Sequence, residues 1–374
     1  MVLLLLFFSP SVFAQNKPVI TDSIKVAFLP ALSYKSDLGL AFGGLYYRYH
    51  YKKDVKPYYS FYRAGALFST KGLATAIVEY DKPKILDSDI RVNNQFYISR
   101  FLQDNYYGIG NYQKISDSFT TSQELYSFQS FSLGLDSRFR IPLHSSGRSS
   151  FDILGILNLD YQTPVDNGSE RLITQEQPLG IDGGRTLHIG TGFIWENRDS
   201  EARPSKGNYL ESSIEIGQTW FGSSYDTFVF KAVAMKYISF FLIKDITWAN
   251  RISMKNTGGD VPYWSLAYAG DDETIRGYPL YRFLDDNSLI LNTELRTWLF
   301  NIDAIEAEFG GTLFFDIGRT YPNGESVYSI FDDLKYSGGF GGTSSFITPD
   351  FIFRTDVAFS EEGMGIYFTA GYTF

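Results

Sequence analysis

The chain has 374 residues, with 27 Tyr, 33 Phe, 34 Gly, no Cys and a formal charge of −9. That balance excludes disulfides, thiolate metal sites and thiol nucleophiles, and an acidic chain is ill suited to nucleic-acid phosphates. The aromatic and Gly excess favours strands and tight turns, while no internal run approaches the roughly 18 apolar residues of a membrane-spanning helix.

In chain order, an apolar stretch from Val2 to Phe8 leads through Ser9-Pro10 to Val12-Phe13-Ala14 before Gln15. Residues of this size three and one places before Gln15 suit signal peptidase, so residues 1–14 are expected to be a signal peptide cleaved after Ala14. Residues 15–24 then form a short N-terminal segment with no room for a folded module. Residues 25–374 show no linker and read as one domain.

Within that domain, period-two alternation recurs. Approximate strands fall at 25–34, 38–51, 57–70, 72–81, 88–101, 124–140, 150–161 and 185–196. Eight more fall at about 207–219, 226–240, 243–256, 287–300, 304–317, 334–345, 350–360 and 364–374. In one, Phe351, Phe353, Val357 and Phe359 oppose Ile352, Arg354, Asp356 and Ala358. In another, Leu289, Leu291, Leu295 and Leu299 oppose Asn292, Glu294, Arg296 and Trp298. Phe309, Leu313, Phe315 and Ile317 likewise oppose Glu306, Glu308, Thr312 and Asp316. The last strand is expected to carry Met364, Ile366, Phe368, Tyr372 and Phe374 on one face.

Such strands also suit a soluble sandwich. Three features favour a membrane barrel instead: strands of about ten residues, aromatic residues crowding strand ends like an interfacial girdle, as in Leu45-Tyr46-Tyr47-Arg48-Tyr49-His50-Tyr51, and charges in mid-strand on the polar face. The long connections, 102–123, 162–184, 257–286 and 318–333, all follow odd-numbered strands. Outer-membrane barrels place short turns in the periplasm and long loops outside. The expected fold is therefore all-β: a transmembrane antiparallel β-barrel of about sixteen strands with periplasmic termini, in contact with outer-membrane lipids.

Alternation points Glu294 and Asp316 into the lumen on adjacent strands, and the sixth long-loop position, 257–286, carries Arg276-Gly277-Tyr278. A loop folding back could set the Arg276 guanidinium, a planar fork, beside both carboxylates. Gly277 would allow a tight turn and Tyr278 would wedge against the wall; the plainer alternative is a solvated Arg on a mobile loop.

Five pieces of the second half resemble the outer-membrane surface-antigen superfamily of β-barrels. They are Ile275-Arg276-Gly277-Tyr278, Asn292-Thr293-Glu294-Leu295-Arg296, Phe314-Phe315-Asp316-Ile317-Gly318, the turn Asn197-Arg198-Asp199 with Pro204-Ser205-Lys206-Gly207, and the terminal Tyr372-Thr373-Phe374. Leu295 stands where the family pattern has an aromatic residue. The resemblance implies that Arg276, Gly277, Tyr278, Glu294 and Asp316 hold loop six inside the barrel. It also implies that Tyr372 and Phe374 form the C-terminal signal for membrane insertion. Family members typically carry periplasmic POTRA modules, which the short N-terminal segment leaves no room for, so the resemblance is to a barrel-only subgroup.

The acidic groups Asp271-Asp272-Glu273, Asp285-Asp286 and Asp332-Asp333 could attract divalent cations but are expected to be a solvated rim, since they lack EF-hand spacing. Gly338-Gly339-Phe340-Gly341-Gly342 has no following Lys-Ser/Thr and reads as a strand with close backbone approach. His50, His144 and His188 are scattered, no HExxH or GxSxG occurs, and neither catalysis nor a metal or other cofactor is expected. Two function classes stay open. One is an outer-membrane protein assembly or translocation barrel with periplasmic or outer-membrane partners, which a weak first-to-last seam would favour, as Gly365 and Gly371 hint. The other is a stand-alone pore or structural barrel passing small solutes.

Overall fold

Side chains that alternate between lipid-soluble and charged types leave a strand only one placement in a bilayer, with the first set outward and the second toward an aqueous or packed lumen. The computed structural model describes residues 22–374 apart from 36–37, 54, 56–57, 86–87, 112–123, 166–167, 306, 327 and 347–351. The expected signal peptide, most of segment 15–24, Glu306 and Phe351 lie outside the described residues.

The first strands are β1 (Ser23–Lys35), β2 (Gly39–Tyr51), β3 (Ser60–Ser69), β4 (Leu73–Lys82), β5 (Arg91–Asn105) and β6 (Ser127–Ser146). They continue with β7 (Ser149–Pro164), β8 (Gly184–Glu196), β9 (Gly207–Gly217), β10 (Thr227–Phe241) and β11 (Asp245–Gly259). Two short strands, β12 (Ala267–Ala269) and β13 (Phe283–Asp285), pair with each other inside loop six. The chain ends on β14 (Asn287–Ile302), β15 (Ala307–Tyr321), β16 (Lys335–Phe346), β17 (Ile352–Ser360) and β18 (Gly363–Ala370). All but β12 and β13 close into a sixteen-stranded antiparallel barrel in chain order.

The alternation holds strand by strand. On β14, Leu291, Leu295 and Leu299 are exposed while Asn292, Glu294 and Arg296 are buried; on β17, Phe353 and Phe359 are exposed while Arg354 and Asp356 are buried. Phe28 is 74% and Leu313 61% exposed, and together with their neighbours they form an apolar band far larger than a water-soluble monomer shows. The outward face of the sheet is thus suited to lipid, and every strand has a neighbour on both sides, although β1 and β18 meet at a single register position.

Three expectations need correction. The aromatic run of β2 is not wholly an interfacial girdle. Arg48 lies over the Tyr62 ring on the exposed face, whereas Tyr49 packs on Phe61 (4.8 Å) and Tyr58 (5.8 Å) in an inner cluster. Alternation alone divides such a run between lipid and lumen.

Second, the last strand stops at Ala370, so Tyr372 and Phe374 are not on its outward face. Gly371 takes φ +83°, which ends the extended run. The tail turns inward, where the Arg296 guanidinium lies 4.0 Å from the Tyr372 ring centroid and donates to the Phe374 main-chain oxygen at 2.7 Å. Phe374 packs with Tyr237 and Ala249 of the inner wall.

Third, three of the loop-six acids are not part of a solvated rim, although Glu273 is exposed. Asp271, Asp272 and Asp285 are buried, Asp272 accepts from Lys35 of β1 at 2.6 Å, and among the described residues no acidic or histidine cluster could hold a metal ion.

Candidate functional site at loop six

Loop six, 260–286, enters the barrel rather than covering it. Its aromatic and aliphatic residues Val261, Tyr263, Leu266 and Leu284 pack with Tyr106, Phe128 and Ile173 from neighbouring connections and strands. Deeper, Ile275, Tyr278 and Phe283 pack with Ala269 and with Ile290 of β14. These apolar contacts carry the loop's descent, and they deliver Arg276 to the lumen wall with 1% of its surface exposed.

At that depth the guanidinium meets three carboxylates on three strands. Its Nε and Nη2 donate to the two oxygens of Asp316 on β15, each at 2.7 Å. Nη1 donates to Glu294 Oε1 on β14 at 2.7 Å and to Asp356 Oδ2 on β17 at 3.2 Å. The bidentate fork on Asp316 is the geometry that Arg serves and Lys cannot. The cation also lies 3.5 Å from the Phe314 ring centroid.

The carboxylates are shared further. Glu294 accepts from Arg354 Nη2 at 2.6 Å and from Arg296 Nε at 2.7 Å, and Arg354 Nε reaches Asp356 Oδ1 at 2.9 Å. Three guanidiniums thus face three carboxylates in a closed network. Asn292 braces it by donating to Asp316 Oδ1 (2.8 Å) and to the Thr274 carbonyl of the loop (2.6 Å).

Gly277 sits where the loop backbone touches the wall. Its N–H donates to the Tyr367 hydroxyl of β18 at 2.8 Å, its carbonyl accepts from Ser360 Oγ at 2.8 Å, and φ is +89°. The conformation favours glycine, and a Cβ there would lie a tight 3.3 Å from Ser360 Cβ. Tyr278 is buried and meets Phe283 edge-on at 5.2 Å.

The glycine run of β16 makes room for this arrangement. A Cβ on Gly341 would lie 2.1 Å from Asp356 Oδ1, and one on Gly339 would lie 2.4 Å from the Phe314 ring. The run is a strand of close approach, and what approaches is the site.

The structure therefore brings Arg276, Gly277, Tyr278, Glu294 and Asp316 together, and places Tyr372 and Phe374 apart from the lipid face. Alternation showed Arg354 and Asp356 to be an inward pair but did not place them at Arg276. Lys35, Tyr367 and Ser360, which also hold the loop, gave no signal beyond their strand parity.

Asp271, at the turn before Arg276, accepts from the Thr274 and Glu273 N–H groups at 2.7 and 2.9 Å. Burial, then the neighbouring charges of Asp272 and Glu273, push its carboxyl up to about 7. Released, it would ionise near 3.8. Between those values the docked loop binds the extra proton, so its stability falls as pH rises through this window and is level above it. Asp271→Asn, which keeps the acceptor oxygen, is expected to flatten that slope. Urea midpoints of wild type and variant should coincide at pH 4 and diverge by pH 8, the variant being the more stable; parallel curves would refute the assignment.

An antiparallel barrel of sixteen strands, apolar outside and charged inside, with a long loop threaded into its lumen, is a transmembrane β-barrel of the outer-membrane type. Residues 40–374 match the Omp85 superfamily domain, and the chain belongs to that superfamily. The chain is similar to BamA from Haemophilus ducreyi lacking POTRA domains 1-3, with TM-score 0.59 and 12% identity over 94% of this chain and 70% of that one. CdiB from Escherichia coli gives TM-score 0.59 and 10% identity over 94% of this chain and 67% of that one. At such identities the likeness is one of fold. No curated protein sequence matches the chain.

Proposed function

We propose that the chain is a non-enzymatic barrel of the bacterial outer membrane that takes part in protein assembly or translocation, with periplasmic termini and a lumen partly closed by loop six. The network around Arg276 serves as the lock on that loop. Periplasmic or outer-membrane assembly partners would supply the substrate.

The observation that carries this reading is the seam. Among the described residues, β1 and β18 pair at the single position Lys35↔Tyr367, whereas β10 and β11 pair without interruption from Thr227↔Gly259 to Phe241↔Asp245. Backbone groups unpaired in a bilayer are costly, so the seam is the strand pair that separates most easily. Loop six holds both of its sides, Lys35 through Asp272 (2.6 Å) and Tyr367 through the Gly277 N–H (2.8 Å). A loop so placed couples the state of the lumen to the opening of the wall.

The absence of Cys allows a clean test. Tyr34 and Phe368 meet across the seam with ring centroids 6.5 Å apart, so Tyr34→Cys with Phe368→Cys should form a disulfide on oxidation. In cells relying on this variant, oxidation is expected to deplete other outer-membrane barrels or exported proteins, and reduction to restore them. Unchanged protein levels, with unaltered conductance of the purified barrel, would replace this reading with a stand-alone pore passing small solutes.

A further inference from the structure

At the short-turn end of the barrel, away from loop six, lies a cavity of about 630 Å³. The turn 197–206, between β8 and β9, folds across the mouth to form it. Ser239 of β10 donates to the Ser205 carbonyl at 2.8 Å, and Arg203 pairs with Glu308 while its guanidinium stacks 3.8 Å from the Trp298 ring centroid.

The lining is strongly basic. Arg203, Lys206, Lys244 and Arg296 face the cavity, against Asp245 as the acid. Lys206 and Lys244 are exposed, and no ion pair engages either among the described residues. Arg296 is the decisive residue. Its side chain is 3% exposed, its Nε is held by Glu294 and its Nη2 by the Phe374 oxygen, yet its Nη1 has no partner. A buried guanidinium N–H without an acceptor is destabilising, and Arg296 is one of the residues that line the cavity.

The geometry points to a binding site for a phosphate-bearing ligand that enters from the short-turn side. Arg296 supplies a buried cation in the lining, and Lys206 and Lys244 flank it as exposed point charges. Several cations around one cavity favour a phosphate group, whose tetrahedral oxygens can accept from several donors at once, over a single planar carboxylate. The volume lies in the range of small-molecule sites and exceeds what a bare anion fills, so an organic substituent accompanies the phosphate. Trp298 and Tyr372 give that substituent aromatic walls. The shared chemistry fits both a soluble phosphate ester and a phospholipid headgroup of the periplasmic leaflet.

The test uses the full chain, refolded in phosphate-free dodecyl maltoside and titrated with glycerol 3-phosphate. Tryptophan fluorescence is the readout, and a Trp298→Phe chain shows which signal comes from the cavity. Saturable binding is expected, weakened by raised salt and at least tenfold weaker in the Lys206→Gln/Lys244→Gln double variant, whose exposed positions leave folding intact. Competition by micellar phosphatidylglycerol would assign the site to a lipid headgroup; saturation without such competition would assign it to a soluble ester. If glycerol 3-phosphate and phosphatidylglycerol both fail to saturate, or if the double variant binds as tightly as wild type, the site does not exist.

Discussion

Arg276→Ala is expected to lower the resistance of the folded barrel to heat and urea and to open loop six to proteases within 260–286. The substitution removes two kinds of interaction of unequal size. Loss of the contact with the Phe314 ring is worth about 0.5–2 kcal/mol. The larger effect is on what stays behind. Asp316 and Glu294 are buried, and Asp316 keeps only the Asn292 amide among side chains that donate to it. Removing one partner of a buried ion pair costs about 3–5 kcal/mol, because the other charge remains in a poorly solvating site. Arg276→Lys should recover only part of this, since one ammonium cannot fork onto both Asp316 oxygens and still reach Glu294. The measurements are urea midpoints in lipid vesicles, the heating temperature at which the gel band shifts, and protease cleavage of the loop. A variant that unfolds with wild type and keeps its loop protected would show that the apolar packing of Tyr263, Leu266 and Phe283 holds the loop unaided.

How much of this could be read from residues alone depended on the range of the interaction involved. Sixteen strands and the inward direction of Glu294 and Asp316 were legible because side-chain direction alternates with period two, a property of the local backbone. That Arg276 reaches them was legible only through the resemblance of its motif, for nothing local to 257–286 fixes the path of a loop. Asp356 shows the limit clearly. Its parity was visible, but its closeness to Arg276 depends on how the barrel closes and staggers its strands, which no single strand encodes. Composition misled at Asp271 and Asp272, which read as solvated together with the exposed Glu273. Lys35, 237 positions from Asp272, gives one of them a half-buried partner. At Tyr372 and Phe374 the alternation continues past Gly371, yet the positive φ there and the inward guanidiniums of Arg251 and Arg296 draw the tail into the lumen.

The second large effect is expected at Glu294, which accepts from Arg276, Arg296 and Arg354 together. Glu294→Gln changes almost no volume but leaves three guanidiniums facing two carboxylates, Asp316 and Asp356, with an amide NH₂ that has no acceptor among them. The loss should again be about 3–5 kcal/mol, as for any buried charge deprived of its partner. Charge balance then makes a sharper prediction than the single substitution. Arg354 is fully buried, and its side-chain partners are Glu294, Asp356 and the Thr373 hydroxyl. Adding Arg354→Gln to Glu294→Gln returns the network to two cations and two anions, so the double variant should be more stable than the sum of the two single losses by about 0.5–3 kcal/mol, the range for residues in one network. If the losses simply add, Glu294 and Arg354 contribute by packing, and the network is not an electrostatic unit. If the double variant recovers, loop six is held by a balanced set of charges drawn from β14, β15 and β17, and releasing it requires separating all of them at once.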